Sequence, residues 1–545
     1  MYLDHSAFKR IGANKTIQDW IKNGVPLIFK DNVQPKPFEV KNQAFSEKQS
    51  LFLEKEIRNL SANGFIRECK TKPTCVSPIK CVPKKNKKLR FVHDLRILNK
   101  DLFVKKFTNE GINNVAKLIK PKDKLITVDL KDGFFHVKVR KEDQQFLGFS
   151  FQGKYYVFCV LPFGLACSPY YFYKVLRPVV QYLREVLHLR VVIYVDDIIL
   201  LVDINDTDCV DQLIHTLVEL GWSINYEKSQ VNLSVCKIWL GFIINSCGGS
   251  DNETPWISVT PERIHKTKHN IKRLLRTHNS YTTPRKLAAV AGECVSMVRA
   301  ILPGKLLLRN IYRQIAYRNT WDDKILLNEN SVKDLEWWLE ALSTWNGAPM
   351  IIRPIDGQIT TDASSYGYGA HIDGKYCSGL WDTDIANKSS NYREMFAVLL
   401  AIESFAGDIA HKHIQILSDN ITTVAYLSKL GGPSEELCSL AESIWTRAYL
   451  NDVTLTAKYL AGDQNTVADR LSRLVTPYEW QLNPNLFNML DLTWGPHTID
   501  RFASLNTALL PRYNTRFYDP YTEGVDVLAQ QDWAHENNYA CPPFF

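Results

Sequence analysis

Short apolar runs alternate with helical periodicity along the first half of the chain. The apolar runs cover residues 125–130, 155–161 and 191–201, and each contains or leads into an aspartate or a turn. Helical patterns cover 169–185 and 210–220 between them. Because short apolar runs bounded by turn residues indicate strands, the pattern predicts an α+β fold with a mostly antiparallel sheet.

The pattern becomes helical from about residue 260 and returns to strands near Ile359. Thr260-Pro261 and Thr283-Pro284 are each typical of an N-cap threonine followed by proline at the first helical position. Beyond Ile359 the order is three strands, a helix, a strand, helices, a strand and a helix, through about residue 474. This order predicts a second unit of α/β type.

The composition narrows the class of protein. The chain has 545 residues, of which 45% are hydrophobic and 23% charged, so we expect three or more domains and no wholesale disorder. The longest apolar stretch, 191–202, contains two aspartates, and residues 1–12 lack the apolar core of a signal peptide. The spacing of the twelve cysteines fits no zinc site. We therefore expect reduced thiols in an intracellular protein, cytoplasmic or nuclear, without a membrane partner.

The net charge of +8 is concentrated in a few segments. Residues 70–90 contain eight lysines or arginines and no acidic residue. Strand-like runs at 75–82 and 89–95 flank the centre of this segment, which favours a basic hairpin that contacts phosphates over a solvated loop or a nuclear-import signal. The helical stretch after residue 260 is also basic, which suits a helix that follows a nucleic-acid backbone.

Three aspartates stand at the ends or in the middle of predicted strands. Asp129 ends one strand, and Asp196 and Asp197 interrupt another. An aspartate pair inside an apolar run is costly to bury unless cations neutralise it, so we expect a tight hairpin with both carboxylates at its tip. Three carboxylates can hold two Mg²⁺ ions that activate a primer 3′-hydroxyl and stabilise a transferring phosphoryl group. A surface Asp-Asp turn would explain the pair but not the neighbouring segments.

The segments around these aspartates resemble those of reverse transcriptases. The resemblance rests on LRFVHDLRILNK (89–100), LITVDLKDGFFHV (125–137), LPFGLACSP (161–169), YVDD (194–197), GWSINYEKS (221–229) and WLGFI (239–243), in this order. It covers roughly residues 45–320 and implies a right-hand polymerase with fingers, palm and thumb. It also implies synthesis of DNA from dNTPs on RNA and DNA templates, with a DNA primer.

The resemblance further implies roles for individual residues. Asp129, Asp196 and Asp197, with the backbone at Leu130, would hold two Mg²⁺ ions, with Mn²⁺ as a substitute. Lys228 would be the general acid for pyrophosphate, and Phe134 would be the bulky gate against a ribose 2′-hydroxyl. The other implied nucleotide contacts are Arg90, one of Lys84 or Lys85, Asp132 and Phe163; the implied primer and template contacts are Tyr194, Trp239, Leu240, Gly241, Lys272 and Arg273. Phe163 stands where retroviral enzymes often have glutamine.

The second unit carries its own set of carboxylates. Asp362, Glu394, Asp419 and Asp469 lie near element ends in the order Asp-Glu-Asp-Asp. Together they resemble ribonuclease H over residues 355–475, which implies cleavage of the RNA strand of an RNA:DNA hybrid with two further Mg²⁺ ions. Retroviral relatives have a loop histidine before the last aspartate. This chain has Tyr459 there, and tyrosine cannot shuttle a proton at neutral pH as histidine does.

Further stretches narrow the resemblance. Residues 290–312 and 335–342 are similar to the thumb and connection of DIRS-like retrotransposons, which insert with a tyrosine recombinase. No recombinase constellation is evident in this sequence, so that partner would be a separate chain. A Gypsy-like or pararetroviral polymerase is the nearest alternative. The tail, 500–545, is similar to the start of adenine-N6 methyltransferases, but Cys541 replaces their Asp or Asn, so we expect a packed extension without catalysis.

These observations combine into one predicted organisation. The predicted domains are an N-terminal extension (1–44), fingers and palm (45–258), thumb (259–320), connection (321–354), ribonuclease H (355–475) and a C-terminal extension (476–545). Two other classes stay open: an inert polymerase-like scaffold that holds RNA, and an RNA-templated RNA polymerase. The intact carboxylates argue against the first class, and Phe134 and the ribonuclease H resemblance argue against the second.

Overall fold

The computed structural model describes most of the chain in two compact units. The described residues are 3–83, 89–204, 206, 208–249, 254–276, 281–351, 354–473, 481–516, 521–525 and 527–542. The first unit comprises residues 1–260 with 347–351, and the second comprises 261–346 with 352–545. Four residues of the predicted sites, Lys84, Lys85, Pro543 and Phe544, lie outside the described residues. Within the described part, no helix has both the length and the apolar character needed to cross a membrane.

The first unit combines helices with several small sheets. Its helices are α1 (His5–Arg10), α2 (Lys15–Asn23), α3 (Glu47–Ala62), α4 (Leu98–Asp101), α5 (Ile112–Leu118), α6 (Ser168–Glu185) and α7 (Asp208–Glu219). Its strands are β1 (Phe38–Glu39), β2 (Ile66–Cys69), β3 (Cys75–Val76), β4 (Ile79–Pro83), β5 (Leu89–His93), β6 (Lys124–Asp129), β7 (Gly148–Phe151), β8 (Lys154–Phe158), β9 (Arg190–Tyr194), β10 (Asp197–Val202), β11 (Gln230–Ser234), β12 (Cys236–Trp239), β13 (Phe242–Asn245), β14 (Trp256–Val259) and β15 (Ala348–Pro349).

An antiparallel sheet of strand order β11-β6-β10-β9 forms the centre of this unit. The inner residues of β6 and β10 are buried on both faces, and α6 packs against β9 and α7 against β10. This explains why these strands are continuous apolar runs in the sequence. The predicted antiparallel sheet and its hairpin are confirmed: β9 and β10 pair directly, with only Val195 and Asp196 between them.

The remaining strands form smaller sheets and a hairpin. One sheet has the order β1-β3-β7-β8-β2 and another has the order β12-β13-β14-β15. The predicted basic hairpin is confirmed in its two strands, since β4 and β5 pair antiparallel; its tip lies outside the described residues.

The N-terminal residues share the core of this unit. Phe8 and Val25 are completely buried, and the Val25 N–H donates to the Lys138 carbonyl at 2.8 Å. The Asp4 N–H donates to the Leu220 carbonyl at 3.1 Å, just beyond α7. The segment predicted as an extension is therefore packed into the first unit and contributes to its stability.

The second unit begins with helices and continues as α/β structure. Its helices are α8 (Pro261–Arg276), α9 (Pro284–Val295), α10 (Arg309–Ala316), α11 (Glu329–Thr344), α12 (Thr383–Ala386), α13 (Ser390–Ser404), α14 (Ala406–Ile409), α15 (Ile421–Lys429), α16 (Glu435–Leu450), α17 (Thr466–Ser472) and α18 (Pro484–Trp494). Its strands are β16 (Gly357–Ala363), β17 (Gly367–Ile372), β18 (Lys375–Leu380), β19 (His413–Ser418), β20 (Thr454–Tyr459), β21 (Ile499–Asp500), β22 (Asn514–Thr515), β23 (Gly524–Val525) and β24 (Asn538–Tyr539).

A five-stranded sheet of order β18-β17-β16-β19-β20 organises this unit. The pairs β16–β17 and β17–β18 are antiparallel, whereas β16–β19 and β19–β20 are parallel. The predicted order of strands and helices beyond Ile359 is confirmed. Gly369 allows α17 to lie directly on β17, because a Cβ at this position would stand 2.4 Å from the Leu471 Cβ.

The early helices of the second unit contact the α/β fold. The predicted Thr283 N-cap is confirmed, since its side chain accepts from the Lys286 N–H. Arg309 donates to the Leu430 carbonyl at 3.1 Å. The Trp345 and Tyr449 rings stack with their centroids 3.4 Å apart. Helices α8 to α11 and the α/β fold therefore form one packed body.

Candidate functional site

The hairpin of β9 and β10 brings the first three aspartates to one edge of the central sheet. Asp197 lies directly opposite Asp129 in the register of β10 and β6, and Asp196 occupies the turn. The Leu130 N–H donates to the Asp196 carbonyl at 2.9 Å, which fixes the turn against the end of β6. Val195 has a φ of 55°, a left-handed conformation that is strained for a β-branched residue. Strain of this kind is common at functional sites.

The local charge at this edge is unbalanced. Burial, together with the neighbouring Asp196 and Asp129 carboxylates, raises the pKa of Asp197 to about 6. Burial also raises the pKa of Asp196. The Lys228 Nζ lies 3.5 Å from the Asp129 Oδ1 and is 70% exposed, so it offsets this charge only in part. Cations would stabilise the ionised carboxylates.

Two residues of the segment 221–229 hold Asp129 in place. The Ser229 hydroxyl accepts from the Asp129 N–H at 3.0 Å, and the Asn225 N–H donates to the Asp129 carbonyl at 2.8 Å. The Ser229 hydroxyl in turn donates to the Asn225 carbonyl at 2.8 Å. Sequence reasoning quoted this segment but assigned a role only to Lys228.

The predicted sugar gate belongs to an aromatic cluster. The Phe134 ring centroid lies 5.1 Å from that of Phe163 and 5.3 Å from that of Phe172. Phe163 is half exposed, whereas Phe172 is buried. The loop that carries Phe163 is held by Asn99, which donates to the Gly164 carbonyl at 2.9 Å. Phe134 therefore has a buried ring on one side and an accessible ring on the other.

The other predicted nucleotide contacts are on the surface of the first unit. Arg90 is exposed on β5, the second strand of the basic hairpin. Asp132 is exposed in a left-handed turn with a φ of 53°, directly before the Gly133–His136 helical turn. Both side chains are accessible to a charged ligand.

The predicted primer residues divide into exposed and buried members. Tyr194 is 39% exposed, at the end of β9. Leu240 and Gly241 form the turn between β12 and β13 with φ values of 50° and 77°. Trp239 is only 3% exposed, so its ring packs inside the protein instead of facing a primer. In the second unit, Lys272 and Arg273 are exposed on α8.

A compact carboxylate cluster lies in the second unit. Asp362 ends β16, Glu394 lies in the first turns of α13, and Asp419 follows β19. Each offers an oxygen that lies within 4.8 Å of the other two. Across the described residues, no other three carboxylate, histidine or cysteine side chains meet this criterion, so Asp129, Asp196 and Asp197 are less closely gathered.

Two of the three carboxylates of this cluster are buried, and the third, Asp419, is partly buried. Asp362 and Glu394 are each 6% exposed, and the Glu394 Oε2 has no hydrogen-bond partner among the described residues. Burial, together with the Asp362 and Asp419 carboxylates, raises the pKa of Glu394 to about 9. Burial also raises the pKa of Asp362. An orphaned, buried carboxylate oxygen beside two more carboxylates fits a hard divalent cation such as Mg²⁺.

The fourth predicted ligand is not in this group. Asp469 lies on α17, and its Oδ1 accepts from the Arg473 Nε at 2.8 Å. Tyr459 ends β20 and is 49% exposed. The loop after it approaches the cluster, since a Cβ at Gly462 would lie 3.2 Å from the Asp419 Oδ2.

Two residues of α17 and its N-terminus contact Asp362, and sequence reasoning assigned neither a role. The Ser472 hydroxyl donates to the Asp362 Oδ2 at 2.6 Å. The Asn465 Nδ2 lies 3.4 Å from the Asp362 Oδ1 and 3.1 Å from the Thr361 carbonyl. Both residues stand in the segment NTVADRLSR, but a single sequence gives no sign of which side chains reach the neighbouring strand.

The C-terminal residues form two short pairs of parallel strands. β21 pairs with β24, and β22 pairs with β23. The buried Arg501 donates to the Asn514 Oδ1 at 2.8 Å and to the Asp532 Oδ1 at 3.0 Å. These bonds agree with a packed extension, and the end of the Cys-Pro-Pro-Phe motif lies outside the described residues.

Comparisons with known proteins identify the class of the first site. Residues 82–267 match the family described as reverse transcriptase (RNA-dependent DNA polymerase). The chain therefore contains a reverse transcriptase domain, and the matched residues include Asp129, Asp196 and Asp197.

The relatives in sequence are retrotransposon polyproteins. The Tf2-3 and Tf2-7 transposon polyproteins of Schizosaccharomyces pombe are each 24% identical to this chain in an alignment of 450 positions that covers 78% of the chain. The chain spans 30% of the length of these polyproteins.

Solved structures show the same fold. The foamy viral protease-reverse transcriptase in complex with double-stranded DNA is 20% identical, with 85% of this chain and 98% of that chain covered and a TM-score of 0.50. The dRH form of that protein, also with double-stranded DNA, is 18% identical, with 84% and 81% covered and a TM-score of 0.50. The predicted fold class, a right-hand polymerase followed by a ribonuclease H fold, is confirmed.

Proposed function

We propose that this chain is an RNA- and DNA-templated DNA polymerase that copies retrotransposon RNA and cleaves the RNA strand of the resulting hybrid. One observation carries the first activity: the hairpin turn sets Asp196 and Asp197 beside Asp129, at the edge of the sheet in the reverse transcriptase domain. The buried cluster of Asp362, Glu394 and Asp419 supports the second activity.

In the polymerase site, Asp129, Asp196 and Asp197 would hold two Mg²⁺ ions, with the backbone at Leu130 beside them. Such ions activate a primer 3′-hydroxyl and neutralise charge on the transferring phosphoryl group. Lys228 would protonate departing pyrophosphate, and the position of its exposed side chain beside Asp129 supports this role. The Phe134 ring, backed by Phe172, would exclude a 2′-hydroxyl and so select dNTPs.

The substrates follow from the exposed residues. Arg90 and a lysine of the basic hairpin would bind triphosphate, with Asp132 and Phe163 beside the nucleotide. Tyr194 and the Leu240-Gly241 turn would support the primer, and Lys272 and Arg273 would contact the backbone of the duplex. The solved relatives were captured with double-stranded DNA, which agrees with a duplex partner.

In the ribonuclease H site, Asp362, Glu394 and Asp419 would hold Mg²⁺, which supplies an activated water for phosphodiester cleavage. Asp469 would join them after leaving Arg473. That ion pair is exposed, so breaking it costs little free energy. Mn²⁺ would substitute at both sites.

Primer extension on poly-rA tests the polymerase proposal. We expect extension by the purified chain with Mg²⁺ and dNTPs, and loss of at least about a thousand-fold in rate for Asp196→Asn/Asp197→Asn. Asp203→Asn is the matched control, because it lies just beyond the other end of β10 and is exposed. Equal primer extension by the double variant and the control would refute the polymerase proposal.

Cleavage of a labelled RNA:DNA hybrid tests the nuclease proposal. We expect Mg²⁺-dependent cleavage that Glu394→Gln abolishes without an effect on primer extension. Asp452→Asn, an exposed carboxylate of the same unit, should cleave normally. A hybrid left intact by a chain that extends primers would refute this activity.

A scaffold that holds RNA without catalysis is the second candidate. One observation favours it: the polymerase carboxylates are less closely gathered than the second cluster. A scaffold would bind hybrid equally well with or without Mg²⁺ and would not extend a primer.

If the chain is catalytic and belongs to a DIRS-like element, that element would supply a tyrosine recombinase as a separate protein. Co-purification of this chain with the recombinase of the same element would test the partnership.

A further inference from the structure

The buried cluster of the second unit has an unusual hydrogen-bond donor. The Ser472 hydroxyl lies 2.6 Å from the Asp362 Oδ2, a distance typical of a charge-assisted bond between a hydroxyl and a carboxylate. The same hydroxyl lies 2.9 Å from the Asp469 carbonyl. A hydroxyl has one proton, so the ionised carboxylate is the preferred acceptor. Ser472 is 1% exposed, and water therefore does not compete for this proton.

The C-terminal end of α17 is held by other hydrogen bonds besides the one from Ser472 to Asp362. The Ser364 hydroxyl donates to the Ser472 carbonyl at 2.6 Å, and the Ser378 hydroxyl donates to the Leu471 carbonyl at 2.9 Å. These two bonds join the helix to the sheet through main-chain atoms. The Ser472 side chain is therefore not needed as a helix anchor, and its contact with Asp362 acts on the carboxylate itself.

The other oxygen of this carboxylate is held less tightly. The Asp362 Oδ1 has one long contact, 3.4 Å, to the Asn465 Nδ2. A carboxylate with one oxygen bonded strongly and the other weakly presents the weakly held oxygen to a cation. Glu394, whose Oε2 has no partner among the described residues, and Asp419 complete the cluster.

We propose that Ser472 is a positioning residue, whose hydroxyl fixes the orientation of Asp362 so that its second oxygen meets the divalent cation of the ribonuclease H site. This inference rests on the proposed nuclease function and concerns how the site holds its ion. Partners of this kind typically change metal affinity by about 10–100-fold when they are removed. Loss of the hydroxyl should therefore weaken cation binding far more than it lowers the rate at saturating cation.

The test measures Mn²⁺ binding by electron paramagnetic resonance on the full chain, in an Asp196→Asn/Asp197→Asn background that silences the polymerase site. Ser472→Ala should raise the Mn²⁺ dissociation constant of the second cluster about ten-fold. Ser472→Thr, which keeps a hydroxyl, should restore most of the affinity. Ser378→Ala is the matched control, because it loses one hydroxyl bond to the same helix end without touching a carboxylate.

A second readout uses hybrid cleavage with the polymerase carboxylates intact. For Ser472→Ala, the Mg²⁺ concentration for half-maximal cleavage should rise about ten-fold, while the rate at saturating Mg²⁺ changes less than three-fold. Unchanged Mn²⁺ affinity in Ser472→Ala, or an equal loss in Ser378→Ala, would overturn the proposal. If the chain cleaves no hybrid but Ser472→Ala still weakens Mn²⁺ binding, the nuclease function fails and the positioning role stands.

Discussion

A buried ion pair beneath the polymerase site gives the sharpest stability prediction. Arg190 begins β9 and Asp123 directly precedes β6, and these strands lead to Tyr194 and Asp129 at the edge of the proposed polymerase site. The Arg190 guanidinium donates to the two Asp123 oxygens at 2.5 and 2.7 Å. The side chains of Arg190 and Asp123 are 19% and 2% exposed. The perturbation is Asp123→Asn, which leaves the volume unchanged and removes the negative charge.

The expected loss of stability follows from the burial of this ion pair. Breaking a buried pair by removing one partner costs about 3–5 kcal/mol, because the other charge stays in a poorly solvated site. Arg190 keeps its bond to the Leu118 carbonyl at 2.9 Å and is partly hydrated, which favours the lower end of that range. We therefore expect about 3 kcal/mol, or roughly a hundred-fold in the equilibrium constant for opening of these strands.

Hydrogen exchange followed by mass spectrometry would measure this effect locally in the full chain. Peptides of β6 and β9 should exchange about a hundred-fold faster in Asp123→Asn. The control is Asp322→Asn. The Arg285 guanidinium donates to both Asp322 oxygens, each at 2.8 Å, so this pair has the same bidentate geometry. Its side chains, however, are 63% and 72% exposed. Because this pair is exposed and well hydrated, Asp322→Asn should change the exchange of its local peptides far less. Equal effects on the local peptides of the two variants would show that burial does not govern the strength of the Arg190 pair.

Three further predictions concern the two sites. Because folding raises the pKa of Glu394 from 4.5 to about 9, the cation-free folded chain binds more protons than the unfolded chain, and this group's contribution to stability falls as pH rises between those values. Glu394→Gln should therefore raise the melting temperature of the cation-free chain most at pH 8–9. Calorimetry of the unsubstituted chain at pH 7 should show proton release when Mg²⁺ binds. An equal shift of the melting temperature at pH 5 and pH 9 would contradict this reasoning. Gly369→Ala should abolish hybrid cleavage and spare primer extension, because its Cβ would stand 2.4 Å from the Leu471 Cβ and push α17 off the sheet. Gly407→Ala is the control, because a Cβ there meets nothing within 4 Å. Normal cleavage by Gly369→Ala would refute the packing argument. Phe134→Ala should lower the preference for dNTPs over rNTPs by about 10–200-fold, measured as the ratio of kcat/KM values, and an unchanged ratio would remove Phe134 as the gate.

The sequence predicted the main elements where periodicity and turn chemistry agree. The aspartate pair inside an apolar run predicted the β9–β10 hairpin, because only a tip position leaves the two carboxylates near solvent. The Thr-Pro pair at 283–284 predicted the start of α9. The strand and helix order beyond Ile359 followed from glycine-separated apolar runs.

The interactions that place the site were not predictable in the same way. Ser472 and Asn465 reach Asp362 only after α17 has packed on the sheet, and hydrogen bonds between residues about a hundred positions apart depend on that packing. Trp239 stood in a segment expected to contact a primer, yet its ring is buried. Residues 1–44 were predicted as an extension, although the i, i+3, i+4 spacing of Ile17, Trp20 and Ile21 already indicated an amphipathic helix with a face to bury.

The packed body formed by α8 to α11 and the α/β fold limits how the two proposed activities can be tested separately. Cutting the chain near residue 354 would remove Tyr449 from beneath Trp345 and Leu430 from Arg309, and would leave an aromatic surface and an arginine without their partners. A shortened polymerase would therefore tend to aggregate, and its poor activity would say nothing about catalysis. Single substitutions in an intact chain are the sounder way to switch off one activity while the other is measured.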